Sequence, residues 1–226
     1  MLVNIIDSII NTVYPPKCIF CQKLLDHDAA LHICNACYTK LPLIENKVIR
    51  ASVDTEENFC DGVVSVFEYT GMVKESLIRF KFFNKPGYYR TYARLLSDKI
   101  GKITDAKNYQ MVLSVPLHKH KEFSRGYNQA RLISKALSRT LRLRECSYLL
   151  KRDRYTEAQS LLDKQKRNQN VKGAFAVTSP KKVKGKSILL VDDILTTGST
   201  LEECSRVLKQ AGAEKVFAVV VATGRK

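Results

Sequence analysis

The stretch Ser187-Ile-Leu-Leu-Val-Asp-Asp-Ile-Leu-Thr-Thr-Gly-Ser-Thr-Leu201 constrains the fold more than any other part of the chain. Its opening run, Ile188 to Val191, is apolar without alternation, as in a strand covered on both faces. Two adjacent carboxylates, Asp192 and Asp193, stand where that strand is expected to end. Thr196, Thr197, Gly198, Ser199 and Thr200 form a small hydroxyl-rich loop. Leu201, Cys204, Val207, Leu208 and Ala211 then follow at helical spacing, with Gly212 as the stop. The loop's N–H groups and hydroxyls, at the positive end of a helix dipole, suit an anion. The acids do not suit phosphate; they suit hydroxyls, or a hard cation such as Mg2+ that also bridges phosphates. A ribose 5-phosphate satisfies both halves. The plain alternative is a strand, loop and helix with a Ser/Thr-rich N-cap.

The run Val191–Thr200 resembles the phosphoribosyl-pyrophosphate (PRPP) signature of type I phosphoribosyltransferases. That resemblance implies that Asp192 and Asp193 contact the ribose hydroxyls and are the catalytic candidates. It also implies that Thr196–Thr200 hold the 5-phosphate and that Mg2+ accompanies PRPP.

A second constellation lies near the start of the chain. Cys18-x-x-Cys21 and Cys34-x-x-Cys37 are two knuckles able to place four thiolates around a structural Zn2+. A redox role for the cysteines is the alternative. His27 and His32 lie between the knuckles and are potential substitute ligands. Cys60, Cys146 and Cys204 read as small core residues. Leu2, Ile5, Ile6, Ile9, Ile10 and Val13 follow helical spacing before Pro15-Pro16, and the stretch is too short and polar for a membrane span. With no charged signal-peptide start, the expectation is a cytoplasmic protein. Residues 45–58 are polar and acidic and read as a linker. The expected division is therefore a helix, zinc module and linker over 1–57 and an α/β domain over 58–226.

The chain's net charge of +16 is unevenly placed. Residues 1–57 carry 5 Lys/Arg against 7 Asp/Glu, whereas residues 119–186 carry 19 against 5. Such a field attracts polyphosphates and nucleic acid alike. Lys151, Arg152, Arg154, Lys164, Lys166 and Arg167 are the candidate nucleic-acid surface, with Tyr148, Tyr155 and Phe175 as the few aromatics for stacking.

The remaining pattern is strand–helix alternation. Gly62–Tyr69 reads as a strand; Val73, Leu77, Ile78 and Phe82, then Tyr92, Leu95, Leu96 and Ile100, read as helices separated by a turn at Asn84–Gly87. Tyr109–Val115 is a strand, and Ser124–Ala130 opens a helix reaching Leu141. Gly173–Val177 is a short strand, Lys181–Lys186 a turn, and Val216–Ala222 a buried strand closing the sheet. This implies a parallel sheet flanked by helices, with ligands at the strands' C-terminal edge.

Together with the knuckles, the segments Ser114-Val-Pro-Leu-His118, Arg125-Gly-Tyr-Asn-Gln129, Leu149–Arg154, Gln159 and Asn170-x-x-Gly-Ala-Phe175 resemble the ComF family. Its competence members (ComFC) are associated with uptake of transforming DNA. Family members often carry a further cysteine-rich element before the catalytic domain, whereas here the next cysteine after Cys37 is Cys60. The resemblance implies a type I phosphoribosyltransferase-like fold with an N-terminal zinc module. It makes Ser114, Val115, Pro116, Leu117 and His118 the pyrophosphate loop, with Lys119 and Arg125 as its cations, and it makes a candidate lid of the charge runs Lys151–Arg154 and Lys164–Asn168 around the short helical segment Gln159–Lys166. His118 is either an acid–base group or, the preferred reading, an exposed loop histidine. Gly126 and Asn128 are alternatively a turn and a helix cap.

Three functional readings stay open: a salvage phosphoribosyltransferase, a PRPP-binding protein of DNA uptake, and a non-catalytic PRPP-responsive accessory that binds single-stranded DNA. A motor protein of DNA uptake is a candidate partner through the zinc module. No acceptor site is identifiable.

Overall fold

A computed structural model describes residues 15–26, 29–51, 58–154 and 171–225. Outside them lie the expected N-terminal helix, His27, the lid segment Gln159–Lys166, and Tyr155, Lys164, Lys166, Arg167 and Asn170.

Five parallel strands form the central sheet in the order β1 (Gly62–Glu68), β7 (Lys215–Thr223), β6 (Ser187–Leu195), β2 (Met111–Ser114) and β3 (Arg144–Glu145). Helices α1 (Gly71–Phe82), α2 (Tyr89–Gly101) and α4 (Gln129–Leu141) contribute to one face. Helix α5 (Ser199–Gln210) covers the other, along with a small antiparallel pair, β4 (Leu150–Arg152) and β5 (Phe175–Val177). Successive residues of a strand point to opposite faces. Leu189 and Val191 of β6 therefore join Leu77, Phe80, Leu96 and Leu137 in one core, while Ile188 and Leu190 join Leu201, Cys204 and Leu208 in the other. Both faces are dry, which is why the inner strands read as unbroken apolar runs.

The first corrections concern the sheet. Val216–Ala222 does not close it: β7 is an interior strand between β1 and β6, and the edges are β1 and β3. β1 is buried through Phe67 on both faces, without the alternation of a half-exposed strand. Strand β6 does not end at the acids either. Its pairing with β2 stops at Val191, but its pairing with β7 continues to Leu195, so the acids sit within a strand that has lost one neighbour. In α1 the buried aromatic is Phe80; Phe82 is 66% exposed. The helix expected from Ser124 is broken in two. A short α3 (Lys119–Arg125) ends at Gly126, whose φ of 82° is left-handed, and Asn128 then caps α4 by accepting from the Arg131 N–H. The turn at Lys181–Lys186 begins with a helical turn, Pro180–Val183.

The N-terminal segment shares the first core. Cys18, Ile19, Phe20 and Cys37 are buried in it, and Phe20 meets Phe67 edge-on with centroids 6.0 Å apart. Arg79 of α1 donates to the carbonyls of Ile19 and Phe20 at 3.1 and 2.6 Å. From there the chain runs along the free edge of β1. Leu43 and Ile49 bridge to Phe67 and Val63, and Ala51 is fully buried. The described part of the stretch expected to be a linker is thus a strap that covers an exposed sheet edge. Its acidic and polar residues face outward while its backbone groups are paired. Lys99, only 8% exposed, fastens it by donating to the carbonyls of Ile44 and Glu45. Among the described residues, no helix is long and apolar enough to cross a membrane.

Replacing Lys99 by Ala leaves those two carbonyls without their charged donor. Urea denaturation is expected to show a loss of about 2 kcal/mol, the scale of hydrogen bonds to a charged group.

Candidate active site and metal centre

A cleft of about 1190 Å³ opens where β6 outruns β2. Asp192, Asp193, Thr196, Thr197, Gly198 and Thr200 line it, opposite Val115, Pro116, Leu117 and Arg125. The two segments singled out in the sequence therefore do face one space. Of the other expected residues, Ser114 is buried and does not line the cleft; its N–H is held by the Ser147 hydroxyl at 2.8 Å. Ser199 is also withdrawn, its hydroxyl paired with that of Thr197 at 2.8 Å.

The pleat separates the two acids. Asp193 points toward α1 and pairs with Lys81 at 2.9 Å, both side chains mostly buried. Asp192 points to the α5 side, where it accepts from the Asp193 N–H at 2.8 Å. Burial, and then the charge of Asp193, push the Asp192 carboxyl up to about 7, against the opposing influence of Lys81, that N–H and Arg152.

Cations stand around this pair. Lys81, Lys121, Arg125 and Arg152 line the cleft, with Lys74 near its rim. Burial lowers the pKa of Lys121, and the nearby charges of Arg152 and Arg125 lower it further. Such crowding of cations favours a bound polyanion. Arg125 is aimed by Gln129, which accepts from it at 2.7 Å, and lies over the ring of Phe82 at 4.9 Å.

The pyrophosphate segment lies only partly on the cleft. Lys119 and His118 do not line the cleft, and Lys121 does: the segment coils into α3, whose rotation of about 100° per residue sets positions 119 and 121 on nearly opposite sides. His118 caps that helix, its Nδ1 accepting from the His120 N–H at 3.3 Å while the two rings stack. Arg152 is placed apart from its neighbours in the basic run. It reaches inward across Phe175, at 5.2 Å, to the cleft, whereas Lys151 and Arg154 are exposed. Their charges are engaged locally: Lys151 pairs with Asp153 at 3.0 Å, and Arg154 donates to the Lys172 carbonyl at 2.7 Å.

The hydroxyl loop has an unusual shape. Gly198 is the N-cap of α5 with φ of 86°, and a Cβ there would collide with the carbonyl oxygen of Ala51 in the strap. A side chain is excluded both by backbone conformation and by space. The loop N–H groups and the α5 dipole are thereby brought to the cleft.

Sequence reasoning missed Lys81, Lys121, Phe82 and Phe123 as cleft residues. Phe123 is 91% exposed, an unusual position for a large apolar side chain. Nothing in the local pattern marks them, because each reaches the cleft only through the way α1 and α3 dock.

Across the molecule, the Sγ atoms of Cys18, Cys21, Cys34 and Cys37 all lie within 4.8 Å of one another, and those of Cys21 and Cys34 are 3.6 Å apart. Thiolates bound to one tetrahedral zinc at about 2.3 Å would be spaced about 3.8 Å apart, so the four fit such an ion. Burial raises the Cys18 thiol pKa, but backbone donors of Cys21, Cys34 and Phe20 outweigh it and bring the value to about 7. The cluster can hold a metal such as zinc. His32 is not part of it.

A family model described as a phosphoribosyl transferase domain matches residues 129–226. The chain is 36% identical over 168 residues to competence protein F of Haemophilus influenzae, covering 71% of this chain and 72% of that protein. It is 32% identical over 157 residues to DNA utilization protein YhgH of Escherichia coli, covering 68% of each. Among solved structures, the glutamine PRPP amidotransferase from B. subtilis complexed with ADP and GMP has a TM-score of 0.43 at 15% identity. That match covers 63% of this chain and 30% of the other, a likeness too loose to bear on function.

The acid pair carries a pH signature. Because the folded-state pKa of Asp192 lies above its unfolded value near 4, the folded protein retains a proton that the unfolded chain releases between about pH 4 and pH 7. Stability should therefore fall as pH rises through that window. Asp192→Asn cannot ionise, so urea melts are expected to show it close to wild type at about pH 4 and increasingly more stable than wild type up to pH 8.

Proposed function

The chain belongs to the competence protein F (ComF) family and carries a phosphoribosyl transferase domain, and on that premise we propose that its cleft binds PRPP with Mg2+ in a cytoplasmic protein serving DNA uptake. The observation that carries this reading is the meeting of three chemistries in one cleft. These are a helix N-terminus with its hydroxyl loop, an adjacent pair of acids, and a cluster of cations.

In this reading Thr196–Thr200 hold the 5-phosphate. The ribose hydroxyls lie against Asp192 and Asp193, and the pyrophosphate faces Lys121 and Arg125 across the wall formed by Val115–Leu117. The acid pair fits a divalent cation, since a carboxyl held protonated near neutrality by burial and a like charge ionises readily beside one. Mg2+, when bound, supplies charge neutralisation on the phosphate oxygens. Lys81 must then exchange its ion pair with Asp193 for contacts to the ligand. If transfer occurs, the C1–O bond to pyrophosphate breaks and an acceptor's electron pair forms the new bond to C1. The acids stabilise positive charge developing on the sugar, while Lys121 and Arg125 stabilise the departing anion.

A second reading, a PRPP-responsive accessory that binds single-stranded DNA, is favoured by Phe82 and Phe123. They stand exposed at a cation-lined cleft, an arrangement suited to stacking unpaired bases. Zinc in the four-cysteine cluster is structural in either reading, because four protein ligands leave no open position.

Calorimetry with PRPP and Mg2+ tests the first reading. Asp192→Asn combined with Asp193→Asn is expected to weaken binding on the order of 100-fold or more, from loss of charged contacts to hydroxyls and metal. Absence of binding by the wild-type protein would reject it. Pyrophosphate release no faster in wild type than in Thr197→Ala, across a panel of acceptors, would favour the accessory reading.

Elemental analysis should find one zinc per chain, and Cys34→Ser should lose it together with thermal stability. A metal-free protein that melts at the same temperature with and without added zinc would count against the assignment.

A further inference from the structure

The back of the hydroxyl loop is gripped by the end of the chain. Arg225 donates through Nε to the carbonyl of Thr196 at 2.8 Å and through one terminal nitrogen to the carbonyl of Thr197. Its other terminal nitrogen donates to the carbonyl of Arg50 in the strap at 2.9 Å. The arginine is itself held in place: its N–H donates to the Thr223 hydroxyl at 3.1 Å, and that hydroxyl donates to the Leu195 carbonyl at 3.2 Å. One planar guanidinium therefore ties together the loop, the strap and the end of β7.

The consequence comes from peptide geometry. In a planar trans peptide the C=O of one residue and the N–H of the next point in opposite directions. With the carbonyls of Thr196 and Thr197 turned back to Arg225, the N–H groups of Thr197 and Gly198 are turned the other way. Both residues line the cleft. Ala51, next to Arg50, fills the space beside Gly198 and blocks the loop from relaxing toward the strap.

We propose that Arg225 is a positioning residue for the phosphate end of the ligand. It fixes two loop carbonyls so that two loop N–H donors are aimed into the cleft before an anion arrives, and the strap of the N-terminal segment serves as the other side of the clasp. Preorganised donors bind more tightly because the ordering cost is met on folding. A positive charge behind the loop adds a smaller, less directional attraction. This rests on the PRPP reading of the cleft.

The test compares two probes of different reach. Ribose 5-phosphate engages the hydroxyl loop, whereas inorganic pyrophosphate with Mg2+ engages the Lys121 and Arg125 end. Arg225→Ala is expected to weaken ribose 5-phosphate about tenfold or more while leaving pyrophosphate within twofold of wild type. Arg225→Lys, which keeps the charge but not the fork, should resemble Ala more than wild type. Guanidinium ion at millimolar concentration should restore part of the loss in Arg225→Ala but not in wild type. In 15N-correlated spectra, the amides of Thr197 and Gly198 should shift on substitution while those of β2 stay in place.

Equal weakening of both probes would overturn the proposal, since general damage to the fold would account for it. So would ribose 5-phosphate binding unchanged in Arg225→Ala. If wild-type protein binds pyrophosphate but not ribose 5-phosphate, the reading of the loop as a phosphate site falls and the inference with it.

Discussion

Strand β6 is hydrogen-bonded to β2 as far as Val191 and to β7 as far as Leu195. The four residues between those two limits form a ledge with one side open, and the cleft is the space beside it. Because the ledge is still paired with β7, its backbone is rigid. Because it lacks the β2 neighbour, its side chains can meet a ligand. A parallel sheet makes this possible without strain, since all its strands end on the same edge. The loop, the helix N-terminus and the cations are arranged around that ledge.

The acids at the ledge are costly in isolation. Two carboxylates in a largely buried setting repel each other, and one stays protonated up to about pH 7. Lys81 offsets part of the charge from the α1 side, and Arg152 approaches from the β4 side. These two cations belong to elements far apart in sequence, so the electrostatic balance of the cleft is a property of the tertiary fold. Cations outnumber acids among the residues lining the cleft, and the charges of Arg152 and Arg125 bear on Lys121 there.

The architecture was legible where the pattern was local. Ile188–Val191 announced a strand buried on both faces, and Thr196–Gly212 announced a loop and helix, because period and punctuation are written into adjacent residues. The four cysteines were legible for the same reason: paired ligands at short spacing describe their own geometry. Less was legible where the answer depended on docking. Arg152 stands in a basic run with Lys151 and Arg154, and nothing in that run distinguishes the one that turns inward. Lys119 and Lys121 differ only in their angular position on a seven-residue helix. The strap looked like a linker because its composition is acidic and polar. Its structural contribution is made by backbone groups, which composition does not report. The length of β6 was misjudged because pairing with β7 extends it past the acids, and partner choice is not visible in one strand's sequence.

The burial of Ile19 and Phe20 against Phe67 has a consequence for how genetic results on such a protein should be read. Because Cys18 and Cys37 are buried in the same core as Ile19, Phe20 and Phe67, a change in the knuckle is also a change in the core of the domain. In a living cell, a destabilisation of 1–2 kcal/mol can change a protein's abundance several-fold through proteolysis. A cysteine variant that abolishes a cellular phenotype therefore speaks first about how much protein survives. Only after its steady-state level has been matched to wild type does it speak about what the knuckle touches.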